Sequence, residues 1–209
     1  MAVASLAALA ACGGGQNAPR GTSGELRAVA KNELRVPADF AGIVDVRERS
    51  RALFLEASRV LQHPRCLNCH PDGDIPRQGM DMALHDPPVV RGPDDHGVVG
   101  MTCTSCHQDH NLAHARVPGA PKWALAPIEM AWVGKSAAHI CEQLKDRRRN
   151  GDKSLAEIVA HNAHDELVAW GWAPGHGREP APGTQSQLGD LVAAWVETGA
   201  ECPAEEAKR

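Results

Sequence analysis

Residues 66 to 70 read "CLNCH" and residues 103 to 107 read "CTSCH". Both are Cys-x-x-Cys-His, and the five positions have a geometric logic. Two thiols three positions apart reach the two vinyl groups along one side of a porphyrin and form thioethers with it, while the adjacent His swings under the iron as an axial ligand. Read this way, Cys66, Cys69 and His70 hold one haem c, and Cys103, Cys106 and His107 hold a second. A Cys₄ zinc ribbon is the competing reading. The gap from Cys69 to Cys103 is wider than its usual spacing, and zinc gives no reason for a His directly after both pairs. A thioredoxin-like redox pair needs a surrounding βαβ pattern, which neither unit has. The expectation is two covalent haems, with His70 and His107 as proximal iron ligands.

Composition supports a chain built around something other than its own aromatic side chains. Among 209 residues there are five Trp, two Phe and no Tyr, with 20 Gly and 15 Pro. A flat apolar disc wrapped by short elements and loops would supply the missing interior. The formal charge of -4 is mild. The densest basic cluster, "KDRRRN" at 145 to 150, reads as a solvated helix end, so no nucleic-acid partner is expected.

The N-terminal run "MAVASLAALAACGGG" is apolar up to Cys12, and Leu9-Ala10-Ala11-Cys12 has the shape of a bacterial lipobox. Residues 1 to 12 are therefore expected to be a lipoprotein-type signal segment whose Cys12 is lipidated. The missing basic n-region places the natural start upstream. Residues 13 to 35 are expected as a flexible tether and 36 to 209 as the cytochrome domain. With four cysteines in the two motifs and Cys12 in the lipobox, Cys141 and Cys202 remain; in an exported protein they read most simply as a disulfide. No stretch is long and apolar enough to span a bilayer, so membrane contact is expected by lipid anchor only, in the periplasm.

Periodicity marks a helix at 46 to 62, with Leu53, Phe54, Ala57, Val60 and Leu61 on one face and Pro64 ending it at the first motif. Residues 71 to 102 read as irregular loop, and 115 to 135 as an extended stretch anchored by Trp123, Met130 and Trp132. Three further helices follow: one capped by Ser136 and stopping at Asn150-Gly151, one opened by the Ser154/Glu157 capping box, and one opened by a Thr184/Gln187 box. In the last, Leu188, Leu191, Val192 and Trp195 form a core stripe. The fold class is mostly α with extensive irregular loops.

Function turns on the sixth ligand of each iron, since a capped iron carries electrons and an open one binds small ligands or peroxide. Candidates are His63, His85, His96, His110, His114, His139, His161, His164 and His176, with Met80, Met82, Met101 and Met130. His63, His110 and His114 lie too near a motif to reach their own haem easily. His85 and His96 sit on the loop between the motifs, and His161 and His164 on a capped helix.

The runs "HPRCLNCHPDGD", "GMTCTSCHQ", "VPGAPKWALAPIEMAW", "LKDRRRNG" and "VAWGWAPG" resemble the small dihaem cytochrome c proteins of proteobacteria labelled "isoquinoline 1-oxidoreductase subunit", over about residues 60 to 203. Where relatives often have "PHxMNV", this chain has "LHDPPV" at 84 to 89. The resemblance implies His at the positions of His63, His85, His96 and His161 and Met at Met130. It favours His85 and His161 as distal ligands, with His96 and Met130 as alternates. It also implies redox partner proteins, a molybdenum hydroxylase of the xanthine-oxidase type as electron donor, and the respiratory chain as acceptor. The chain has no molybdopterin-sized domain, no four-cysteine ferredoxin pattern and no Gly-rich nucleotide loop, so any substrate chemistry belongs to the partner. The expected function is a periplasmic dihaem c-type cytochrome relaying single electrons; the alternative is a small dihaem peroxidase or haem sensor with one open iron.

Overall fold

The computed structural model describes residues 26 to 175 and 177 to 205; the expected signal segment with Cys12, the first part of the expected tether, and His176 lie outside it. The described chain is mostly helical, with long loops and two minimal β-hairpins. Helix α1 spans Val46–Leu61, opened by Asp45, whose carboxylate accepts from the N–H groups of Arg47 and Glu48 at 2.9 Å each. Its apolar face lies as the periodicity predicts, with Leu53, Phe54, Ala57, Val60 and Leu61 at most 2 % exposed. Pro64 has two effects. It follows the end of α1 and occupies the first position of a one-turn helix α2, Pro64–Leu67, where a missing N–H costs nothing. Cys66 rides on that turn.

Where the sequence reads as plain loop, two two-residue antiparallel ladders form: β1 (Arg77–Gln78) with β2 (Ala83–Leu84), and β3 (Gly97–Val98) with β4 (Met101–Thr102). Strands this short carry no period-2 signal, so only closure of the loop reveals them. Gly97 has φ +89°, and a Cβ there would sit 2.6 Å from the Met101 carbonyl oxygen, so the second hairpin needs glycine.

Helix α3 (Ala137–Lys145) is capped by Ser136, whose Oγ accepts from the His139 N–H at 3.0 Å. It stops at Lys145, short of the expected Asn150-Gly151. The Asn150 amide explains this: it donates to the carbonyls of Leu144 and Lys153 at 2.8 and 3.0 Å and closes a turn over 146 to 153. Helix α4 (Leu155–His164) has the expected capping box between Ser154 and Glu157. Asp165 then caps a short helix α5 (Glu166–Ala169). In α6 (Gln185–Glu197) Thr184 accepts from the Gln187 N–H at 3.1 Å, and Leu188, Leu191, Val192 and Trp195 are fully or almost fully buried.

The core forms where α6 packs between α1 and α4. Phe54 and Trp195 meet with ring centres 5.0 Å apart. Gly189 allows the backbones of α6 and α4 to approach, because a Cβ there would lie 2.5 Å from the Ala163 Cβ. A disulfide joins Cys141 on α3 to Cys202 after α6, with Cα atoms 5.6 Å apart.

Residues 26 to 35 behave differently from a free tether. Leu34 is 3 % exposed in the core, the Arg35 N–H and guanidinium both bind Glu56, and Arg59 donates to the carbonyls of Ala30, Lys31 and Glu33. Glu56 is the reason. Burial alone would raise its pKa, yet hydrogen bonds from Arg35 and Arg59 outweigh that and hold it below the usual range. A buried carboxylate needs these cations, and they bring the segment with them. No described helix is long and apolar enough to cross a membrane.

Candidate functional site

Each Cys-x-x-Cys-His unit is wound into a single helical turn. The His70 N–H donates to the Cys66 carbonyl at 3.1 Å, and the His107 N–H to the Cys103 carbonyl at 2.9 Å. That turn puts the two thiols and the imidazole on one side of the backbone, as adjacent positions in an extended strand would not. The stretch 115 to 135 then frames both units. Pro118 O receives the His107 Nδ1–H at 2.8 Å, and Met130 O receives the His70 Nδ1–H at 2.7 Å. Trp123 stacks on His107 with ring centres 4.5 Å apart, and Trp132 stacks on His70 at 3.4 Å. Backbone bonds close the frame, from the Ala126 N–H to Cys69 O and from the Trp132 N–H to His70 O, each 3.0 Å.

The same tautomer results at both rings. With Nδ1–H given to a carbonyl, Nε2 keeps its lone pair, and among the described residues neither Nε2 has a protein partner. This is how a metal-bound imidazole is held: a carbonyl on one nitrogen fixes the ring and leaves the other for the metal. His70 is pushed down to about 3, first by burial, with the charges of His161 and Arg91 adding to it and the Met130 bond opposing it. Burial also lowers His107. It pushes the Cys66 thiol up to about 12 and the Cys69 thiol up to about 11. His70, Cys66 and Cys69 keep some solvent-accessible area, but protein surrounds them densely, so burial leads in each case. Cys69 and Cys103 line the same cavity, which sets the two motifs beside one another.

A cavity of about 660 Å³ opens between the motifs, lined by Cys69, Cys103, Cys106, His107, His85 and Trp123 among others. Its volume is that of a site for a cofactor-sized molecule. His85 projects into it from the loop after β2, its Nδ1–H held by Pro87 O at 2.8 Å. The rings of His85 and His107 are 5.9 Å apart between centres and inclined at 72°. Two imidazoles that shared a metal at about 2 Å from a nitrogen of each would have ring centres about 6 Å apart, which is compatible with this spacing.

His161 holds its Nδ1 3.3 Å from Asp165 Oδ2 and lies near enough to His70 for its charge to oppose protonation there. Asp165 is held down to about 2, first by its hydrogen bond with His161. A carboxylate behind an imidazole is the other common support for a metal ligand. The alternates are placed less favourably. His96 is exposed, with Nδ1 on Asp94 O. Met130 serves His70 through its carbonyl on the Nδ1 side, its side chain packed in the core.

Other candidates are engaged elsewhere. The His63 Nδ1 accepts the Arg65 N–H at 3.3 Å, so it caps α2 and carries its proton on Nε2. His139 Nε2 faces Arg149 at 3.4 Å, while His110, His114 and His164 are exposed. Among the described residues no three His, Cys, Asp or Glu converge on one point as joint metal ligands. A haem asks for less, one axial side chain on each face.

Buried polar atoms without a protein partner lie beside the motifs. Among the described residues five buried side-chain atoms lack a partner, and four of them flank the motifs: Asn68 Oδ1, Arg77 Nε, Arg91 Nε and Trp132 Nε1. Asn68 and Arg77 line the cavity itself. Such groups are rare in folded proteins unless something occupies the space beside them. The residues lining the cavity at Cys103, Cys106 and His107 therefore fit a haem.

Sequence reasoning missed the second role of the stretch 115 to 135. "WALAPIEMAW" at 123 to 132 announces apolar anchors, but nothing in it marks Pro118 and Met130 as carbonyl acceptors. No family model matches the chain, and comparison with curated proteins and with solved structures likewise returns no match.

Proposed function

We propose that this chain is a dihaem c-type cytochrome that relays single electrons. Haem one is assigned to Cys66, Cys69 and His70 with His161 as distal ligand, and haem two to Cys103, Cys106 and His107 with His85. The observation that carries the reading is the His85–His107 pair: ring centres 5.9 Å apart across a cavity that also holds Cys103 and Cys106, each Nδ1 anchored on a carbonyl. When bound, each haem supplies an iron that cycles between ferric and ferrous states by one electron. The chain's part is to fix both axial imidazoles, exclude water with Trp123 and Trp132, and hold the two motifs adjacent through Cys69 and Cys103. With both faces capped by imidazole, the favoured role is carrier rather than peroxidase or sensor.

The cellular setting rests on the sequence. The lipobox at Cys12 and the Cys141–Cys202 pair support a periplasmic protein anchored by lipid. The resemblance to dihaem subunits supports a molybdenum hydroxylase as donor and the respiratory chain as acceptor.

The test is the optical and EPR spectrum of protein matured in a host with a c-type haem assembly system. Two low-spin haems per chain, with no change when CO is added to the reduced form, are expected. Protein that carries zinc in place of haem would end the reading. One high-spin haem that binds CO stoichiometrically would move the peroxidase or sensor alternative to the front.

A further inference from the structure

Arg65 and Arg178 both line the cavity that holds His85 and His107. Arg65 is 5 % exposed. Its Nε donates to the Glu179 carbonyl at 2.6 Å, and its guanidinium lies 5.7 Å from the centre of the Trp170 ring. These contacts fix the plane of the group. Among the described residues, its terminal nitrogens have no acceptor. Arg178 donates to the carbonyls of Pro174 and Arg116, at 3.1 Å in the first case.

Among the described residues neither arginine has a carboxylate within ion-pair distance. Nearby Arg77 and Arg91 are paired, with Asp72 at 3.0 Å and with Asp95 respectively. Arg65 is buried and Arg178 half-buried, and a buried cation left without a carboxylate is costly. Two unpaired guanidinium groups on one cavity wall therefore mark a place for an anion. Arginine suits carboxylates, whose two oxygens match its fork of donors.

We propose that Arg65 and Arg178 form an anion subsite that takes the propionate carboxylates of the porphyrin bound at Cys103 and Cys106, an inference that rests on the cavity being a haem site. The thioethers hold the ring along its vinyl edge, and the arginines hold it at the propionates. Trp170 sets the position of Arg65 and, through its edge contact with Trp123 at 5.1 Å between ring centres, ties the subsite to the ring stacked on His107. Two cations beside the haem favour the less positive, ferrous state and so raise the potential of this haem above what its ligands alone would give.

The test compares wild type with Arg65→Gln, Arg178→Gln and the double variant, all matured with haem. Haem per chain is measured by the pyridine haemochrome, both midpoint potentials by spectroelectrochemical titration, and the propionate bending band by resonance Raman. The expected result is two haems throughout, one midpoint potential lowered and the other unmoved, a shifted propionate band, and partial recovery in Arg178→Lys. Should Arg65→Gln fail to accumulate, Arg178→Gln carries the test alone, since its half-exposed loop position spares the core. A wild type with two haems whose variants match it in both potentials and in the Raman band would overturn the subsite while leaving the haem assignment intact. A wild type without haem would overturn both.

Discussion

His85 and His107 face one another across the cavity with ring centres 5.9 Å apart, each with its Nδ1–H on a carbonyl 2.8 Å away. His85 lies within the Gly- and Pro-rich loop at 71 to 102 and His107 beyond its end, so the path of the loop brings a second imidazole near the second motif. His85→Ala should leave two haems per chain, because the thioethers remain. It should convert one haem from low to high spin and create one CO site per chain. An unchanged EPR spectrum would show that His85 is not the ligand.

Asp165 links acid stability to the site. Its folded pKa is depressed from 3.8 to about 2, first by the hydrogen bond with His161. A depressed carboxylate contributes stability in full above its unfolded pKa and loses it as pH falls through the folded value. Thermal melts of wild type and Asp165→Asn should therefore differ most at about pH 5 and converge towards about pH 2. Asparagine can still cap α5, so a difference that stays constant at every pH would mean that ionisation of Asp165 does not contribute to stability.

The disulfide closes a loop with a sequence separation of 61 residues between α3 and the chain after α6. Chain-entropy reasoning gives a loss of about 4 kcal/mol for the Cys141→Ser, Cys202→Ser double variant. Denaturant unfolding should show this as a lower midpoint, with both haem spectra unchanged in the folded protein. A loss below about 1 kcal/mol would mean that the reduced chain is already constrained, as a covalent haem could achieve.

Gly189 tests how closely α4 and α6 must approach. Replacing a mid-helix glycine by alanine gains about 1 kcal/mol in helix propensity. Here the new Cβ would meet the Ala163 Cβ at 2.5 Å and Cα at 2.8 Å, neither of which can rotate away. Overpacking costs about 1 to 3 kcal/mol, so Gly189→Ala should be destabilising on balance, measured by its melting temperature. A stabilised variant would show that the two helices separate easily.

Much of the framework was legible because its signals are local. Helix α1 announced itself through five apolar residues at helical spacing, and α4 through a capping box four residues long. Ser136 marked the start of α3 equally well, but its end was misread, since Asn150 acts through a turn that becomes visible only when closed. The hairpins at 77 to 84 and 97 to 102 were missed for the same reason: two residues per strand leave no period to detect. Leu34 and Arg35 read as tether because nothing near them in sequence reveals the core that takes Leu34 or Glu56, the partner of Arg35 21 positions on.

The amino-acid sequence by itself marked the residues proposed to hold two haems, since thioether attachment needs thiols at fixed local spacing with a His beside them. It also left Cys141 and Cys202 as an obvious pair. Tertiary structure decided the rest. Nine histidines and four methionines outside the motifs were open as sixth ligands, and no counting could choose among them. Hydrogen bonding separates some of them: Pro87 O, Asp165 and Asp94 O hold the Nδ1 of His85, His161 and His96, whereas the His63 Nδ1 accepts the Arg65 N–H. Which nitrogen each of these histidines leaves free is set by partners close in sequence, but the ring that His85 then faces, His107, comes from another part of the chain.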